Sequence, residues 1–223
     1  VGIVEEARAH LQRKISNNQL DVPAGITYEF TGNYENQVRA EKRLSILIPI
    51  VLVIIFILIY FQFKSAKSTL LVFSGIAVAF AGGFIMIWLY GQDWFLNFSL
   101  LGSEMRDLFQ IKTVYLSVAV WVGFIALFGI ATDDGVIMTT YLTQVFDKNK
   151  PQTRNEIRKS VIEAGSKRIR PCLMTTATTL LALLPILSST GRGSDVMVPM
   201  AIPLFGGMLI EIITLFVIPV IFS

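Results

Sequence analysis

One cysteine, Cys172, and one histidine, His10, stand in the 223 residues of this chain. That scarcity excludes a disulfide framework, a zinc centre of the Cys/His type and a Cys/His catalytic pair. Charge is scarce as well: Asp, Glu, Lys and Arg make up 16% of the residues against 53% hydrophobic ones, and the mean hydropathy is +0.63. Such a balance excludes an ordinary soluble globular domain. No secretory n-region or cleavage site opens the sequence, which begins at Val1 and stops at Ser223 inside an apolar run, so both ends read as cut. The chemistry left to the chain must come from carboxylates, hydroxyls and thioethers. The net charge of +3 comes mostly from one loop, and it reads as topology information, with no nucleic-acid partner implied.

What the sequence does have is long hydrophobic runs. About 20 apolar residues are needed to cross the hydrocarbon core as an α-helix. Leu44–Phe63, Leu70–Tyr90 and Pro171–Thr190 carry no charge at all. A further span over 117–145 contains Asp133 and Asp134 in its second half, and the last, over 196–222, contains Glu211 and three prolines. The expected fold is a mainly α membrane protein with five transmembrane helices. Lys and Arg mark the cytoplasmic side. Lys64 and Lys67 follow the first span, and eight more basic residues fall on or beside the 146–170 loop, whereas the other loops hold only Arg106, Lys112 and Arg192. The segment 1–43 and the loops 91–116 and 191–195 are therefore assigned outside.

The outer segment 1–43 reads as the end of an α/β domain. Ile3, Ala7, Leu11 and Ile15 recur at helical spacing, and Ile26, Tyr28 and Phe30 alternate in a strand that ends at Gly32-Asn33. Residues 34–43 are predicted to extend the first membrane helix outward. Thr153 and Glu156 have capping-box spacing, which predicts a short helix along the membrane surface or else a solvated connector. Aromatic and charged residues mixed between Trp94 and Lys112 predict an interfacial helix.

Ionisable groups at bilayer depth are expensive, so they usually face a protein interior or a water path and mark proton or ion routes. Asp133 and Asp134 fit that description. Neighbours on a helix point about 100° apart, so one is expected to work and the other to support it. Close carboxylates also strengthen one another's hold on a proton, as loading and release near neutral pH require. Thr175, Thr176, Thr178 and Thr179 can bond to a carboxylate on another helix or to their own backbone. Met197 and Met200, one turn apart at the outer mouth of the last span, are candidate soft ligands, although methionine is more often apolar filler. Cys172 is a small buried hydrophobe or a soft ligand. Glu211 is a second protonatable site or a helix-to-helix hydrogen-bonding group.

Several spaced motifs resemble one family. They are Pro23-Ala24-Gly25 with Gly32-Asn33, the 75–83 glycine segment, Gly129-Ile130-Ala131-Thr132-Asp133-Asp134-Gly135-Val136, Arg168-Ile169-Arg170-Pro171 with Met174-Thr175, Leu184-Pro185, the 190–194 turn, and Gly206-Gly207-Met208 with Pro219. Together they resemble the heavy-metal efflux branch of the resistance-nodulation-division (RND) transporters, closest to copper/silver pumps of the CusA type. The resemblance implies that the five spans are the eighth to twelfth of a twelve-helix bundle, with 1–43 the end of a periplasmic α/β porter domain and 44–223 transmembrane. It implies a proton-driven antiporter rather than an enzyme, exporting Cu(I) or Ag(I) as cargo with no resident cofactor. A bacterial inner-membrane location follows, as a homotrimer joined to a periplasmic adaptor and an outer-membrane channel. Asp133 takes the place of a relay carboxylate of the tenth helix, whose partners are aspartates on a fourth helix outside this chain. Thr175 and Arg168 match a relay threonine and a relay arginine, and Met197 matches a methionine on the metal path. Three positions depart from the pattern: Cys172 stands where the copper/silver archetype has lysine, Asp133-Asp134 replaces an acidic residue followed by an aromatic one, and Glu211 replaces a small neutral residue. The alternatives are a divalent zinc, cobalt or cadmium pump, a multidrug pump, and, remotely, an intramembrane aspartyl protease.

Overall fold

In the computed structural model, residues 2–17, 33–100 and 103–222 are described. Seven helices and one minimal hairpin follow in chain order: α1 (Gly2–Ser16), α2 (Asn33–Phe63), α3 (Ala66–Tyr90), β1 (Ser99–Leu100), β2 (Ser103–Glu104), α4 (Met105–Leu108), α5 (Val118–Asn149), α6 (Arg154–Leu187) and α7 (Ser194–Phe222). Five of them, in α2, α3, α5, α6 and α7, are long and apolar enough to cross a membrane. The chain divides into two compact units, 1–47 and 48–223. In the first, α1 forms where helical spacing predicts it, and the predicted strand through Ile26, Tyr28 and Phe30 lies outside the described residues. The predicted outward extension of the first span is present, since α2 begins at Asn33.

The second unit is a helix bundle with α7 at its centre, packed against α3, α5 and α6, while α5 also packs against α3 and α6. Lipid tails are as apolar as leucine, so burial alone cannot choose which helix faces meet, and close backbone approach does. On α3 the buried positions are Thr69, Val72, Gly75, Ile76, Ala79, Gly82, Gly83, Met86 and Tyr90, a helical stripe in which Gly75, Ala79, Gly82 and Gly83 are small. That stripe meets Gly206 and Gly207 of α7: a Cβ on Gly82 would lie 2.9 Å from the Gly206 carbonyl, and one on Gly207 would lie 2.9 Å from the Ala79 carbonyl. Gly123 of α5 meets the Met200 carbonyl in the same way. Beside this seam Phe80, Phe84 and Phe124 form an aromatic knot, with Phe80 and Phe84 ring centroids 4.8 Å apart. From Ile48 onward α2 leans on α3 through Phe56 and Phe73, and it turns Ile50, Val53, Ile57 and Phe61 outward.

Two expectations need correction. The capping box forms, with Thr153 Oγ1 accepting from the Glu156 N–H and Glu156 accepting from the Thr153 N–H. The helix it starts is neither a separate surface helix nor a connector, however, because α6 runs unbroken from Arg154 through Pro171 to Leu187. A residue before proline usually avoids the helical region, which makes Arg170-Pro171 look like a boundary. Here burial of Ser160, Ala164 and Gly165 before the proline and of Cys172 and Thr176 after it holds the helix together across it. At about 1.5 Å per residue, the 34 residues of α6 span about 50 Å, well beyond the ~30 Å hydrocarbon core. The outer loop likewise holds only the four-residue α4 where an interfacial helix was predicted. Arg106 there donates to the Gln92 and Asp93 carbonyls, which folds the loop back on itself, and Gln110 donates to the Ser189 carbonyl.

Candidate functional site

Helix α5 carries Asp133 and Asp134 at the midpoint of its 32 residues and continues apolar beyond them before ending at Asn149. The two aspartates therefore sit within the helix. Their directions differ as helical geometry requires: Asp134 is 8% exposed and faces α6, while Asp133 is exposed. A cleft of about 290 Å³ opens between α5 and α6 at this level. Its inner wall is Asp134, Cys172, Thr176 and Met208, all buried, and its lip is Asp133, Pro171 and Thr175, all exposed. Arg168 lines the cleft, with its guanidinium carbon 4.7 Å from the centre of the Tyr141 ring. Asp133 and Asp134 on one helix and Arg168, Cys172 and Thr175 on the other thus come together from 34 to 42 residues apart in sequence. None of the described residues hydrogen-bonds to the Asp133 carboxylate.

Asp134 is held by Thr176. The threonine Oγ1 lies 3.3 Å from Asp134 Oδ2 and 2.9 Å from the Cys172 carbonyl. A hydroxyl has one proton to give, so it can satisfy only one of these acceptors at a time. When Asp134 carries a proton it donates to Thr176, whose own proton stays on the Cys172 carbonyl. When Asp134 is ionised the hydroxyl turns to the carboxylate and leaves that carbonyl. Thr175, by contrast, donates to the Pro171 and Cys172 carbonyls, and Thr178 and Thr179 to carbonyls one turn back.

Glu211, on α7, is 2% exposed, and its Oε2 has no hydrogen-bond partner among the described residues. The hydroxyl of Thr139, fully buried on α5, likewise has no hydrogen-bond partner among the described residues. Met197 and Met200 lie on the first turns of α7, Met197 exposed and Met200 half-buried, and neither lines the cleft. Among the described residues no three His, Cys, Asp or Glu cluster to hold a metal ion.

Residues 3–101 and 108–223 match the AcrB/AcrD/AcrF family. The chain belongs to that family. Among its relatives, the cation efflux system protein CusA of Escherichia coli K12 is 35% identical over 216 residues, covering 94% of this chain and 18% of that protein. The cobalt-zinc-cadmium resistance protein CzcA of Cupriavidus metallidurans is 30% identical over 220 residues, covering 98% and 18%. A crystal structure of a heavy metal efflux pump superposes with a TM-score of 0.67 at 29% identity, over 98% of this chain and 18% of that one. The chain spans about a fifth of the length of these relatives. Its bundle is therefore that of an AcrB/AcrD/AcrF-family transporter, in the branch that includes heavy-metal pumps.

Thr176 is the residue whose role the sequence least reveals, since it stands among four similar threonines. Its signal is periodicity: Cys172, Thr176, Leu183 and Leu187 are buried at spacings of four and seven, which is the face α6 turns to the bundle. Thr176→Val keeps the shape and removes the hydroxyl. Polar pairs between membrane helices average ~0.6 kcal/mol, and leaving a buried acceptor unsatisfied costs ~1–3 kcal/mol. A loss of about 1 kcal/mol is expected, read as a lower thermal midpoint of the purified protein. An unchanged midpoint would show that Thr176 does not hold Asp134.

Proposed function

We propose that this chain forms part of a proton-driven exporter of heavy-metal cations. The observation that carries this reading is the cleft with one carboxylate on its lip and another on its inner wall, beside Arg168. A transporter needs a group that exchanges protons with the aqueous path and a second that registers the exchange in the packing of helices. Asp133 is suited to the first role and Asp134, through Thr176, to the second. Thr175 and Arg168 border the route, and Glu211 provides a further buried carboxyl behind it. Relatives named for cation efflux and for cobalt-zinc-cadmium resistance support heavy-metal cargo.

The proposed setting is the bacterial inner membrane, with the segment 146–170, from the end of α5 through the first turns of α6, cytoplasmic and the segment before α2's apolar stretch periplasmic. The proposed assembly is a homotrimer with a periplasmic adaptor and an outer-membrane channel. Cu(I) or Ag(I) is the preferred cargo, because Met197 and Met200 offer thioethers one turn apart and soft sulfur selects soft monovalent ions. The second reading is a divalent zinc, cobalt or cadmium exporter. Expression of the full-length protein in a metal-sensitive strain separates them. Met197→Ile with Met200→Ile should weaken copper and silver tolerance about tenfold, in line with the loss of an element of a metal site. Protection against zinc, cobalt and cadmium alone, indifferent to the double substitution, would favour the divalent reading.

A further inference from the structure

The groove between the first turns of α6 and the last turns of α7 has no part in the proton cleft. It encloses about 680 Å³, and its lining combines the polar Arg154, Asn155 and Arg158 with the apolar Ile157, Val161, Ile162 and Val220. Arg154 and Arg158 are four residues apart, so their side chains emerge on one helix face. Both residues are exposed, and neither is ion-paired among the described residues; the ion pair nearest in sequence on this helix is Lys167 with Glu163. No carboxylate lines the groove. The helix terminus is not what draws an anion, since Thr153 and Glu156 already satisfy it.

Along α6 the residues carrying the guanidiniums, Arg154 and Arg158, flank Ile157 near the start of the helix, and the apolar Val161 and Ile162 follow within about a turn, on the side of the hydrophobic stretch that begins at Pro171. Val220, on α7, is 69% exposed and adds a second apolar wall. A phosphate group above an acyl chain has the same order of polarity. Basic pockets at the cytoplasmic ends of membrane helices are suited to anionic headgroups, and the cytoplasmic leaflet supplies them. A soluble polyanion would use the arginines and leave the apolar lining in contact with water.

We propose that this groove binds an anionic phospholipid of the cytoplasmic leaflet, with its phosphate between Arg154 and Arg158 and one acyl chain along Val161, Ile162 and Val220. The inference rests on the reading of this end of the bundle as cytoplasmic. Because it is tested by lipid affinity and not by transport, its failure leaves the efflux proposal standing. The measurement is the affinity of fluorescent phosphatidylglycerol for the purified full-length protein, with phosphatidylcholine as the neutral comparison. Arg154→Gln with Arg158→Gln should weaken phosphatidylglycerol binding about thirty-fold, about five-fold for each cation. Lys148→Gln with Lys150→Gln removes the same charge from the same loop away from the groove and should leave binding unchanged. Val220→Asn keeps both arginines and should weaken lipid binding several-fold. Equal losses in the two double variants would overturn the site in favour of a diffuse surface potential. Displacement of the lipid by millimolar inorganic phosphate, with no effect of Val220→Asn, would overturn it in favour of a bare anion site.

Discussion

Asparagine at position 133 should reduce metal tolerance to that of cells without the transporter, while the protein still reaches the membrane. Asp133→Asn keeps the volume and the hydrogen-bonding shape of the side chain and removes only its capacity to exchange a proton. Asp133 is exposed at the lip and has no hydrogen-bond partner among the described residues, so little folding stability depends on it. The effect is therefore expected in turnover and not in abundance. General acid-base groups contribute about 10²–10⁴-fold to the steps they serve, so transport in reconstituted vesicles should fall at least about a hundred-fold. Asp133→Glu, which restores an exchangeable proton one methylene further out, should recover part of it. Wild-type tolerance with Asp133→Asn at normal membrane levels would remove Asp133 from the proton route. The companion variant Asp134→Asn separates the two carboxylates. It should also impair transport, and it should lower thermal stability as well, because Asp134 is buried and held by Thr176.

The second large effect is structural. Gly123→Val should prevent the bundle from assembling as a monodisperse species after detergent extraction. A Cβ at Gly123 would run into the Met200 carbonyl and lie 2.9 Å from Pro203 Cγ. Overpacking usually costs about 1–3 kcal/mol when side chains can shift. Here the obstacle is backbone on a neighbouring helix, so α5 and α7 must separate and the cost exceeds that range. Gly129 is the internal control. It lies on the same helix with nothing within 4 Å of an added Cβ, so Gly129→Ala should leave assembly intact. It should even stabilise α5 by about 0.5–1 kcal/mol through the restricted unfolded chain. Size-exclusion profiles and thermal midpoints of the pair decide the matter, and comparable behaviour of the two variants would contradict the seam described above.

Much of this architecture is legible in the residues. Spans without a charge can hardly be anything but membrane helices, and the prediction that residues 34–43 lengthen the first of them agrees with α2 starting at Asn33. Thr153 and Glu156 announce the start of α6 correctly because a capping box is a local device, complete within four residues. What the sequence conceals is non-local. Arg170-Pro171 has the local signature of a helix boundary, and only burial of Ser160, Ala164 and Cys172 against other elements keeps α6 continuous there. Adjacent aspartates advertise a site, but which of them turns inward depends on the rotation of α5 about its axis, and the glycine seam sets that rotation. Thr176 is chosen over Thr175 by the same rotation of α6. That Glu211 Oε2 finds no hydrogen-bond partner among the described residues could not be read from sequence either, since it is a property of packed helices and not of one.

Proline at position 171 has no amide hydrogen, so the carbonyl of Lys167, one turn earlier, lacks its usual donor in the α6 ladder. The missing rung falls among Arg168, Cys172 and Thr176, where the Thr176 hydroxyl either takes up or releases the Cys172 carbonyl according to the proton on Asp134. In the proposed exporter, a rod of about 50 Å would thereby have a soft joint beside Asp134. Bending about that joint would cost least where one backbone bond is already absent, and the arm beyond it carries the basic turns of 154–170. Gain or loss of one hydrogen ion at Asp134 would thus be converted into torque on an arm several helical turns long.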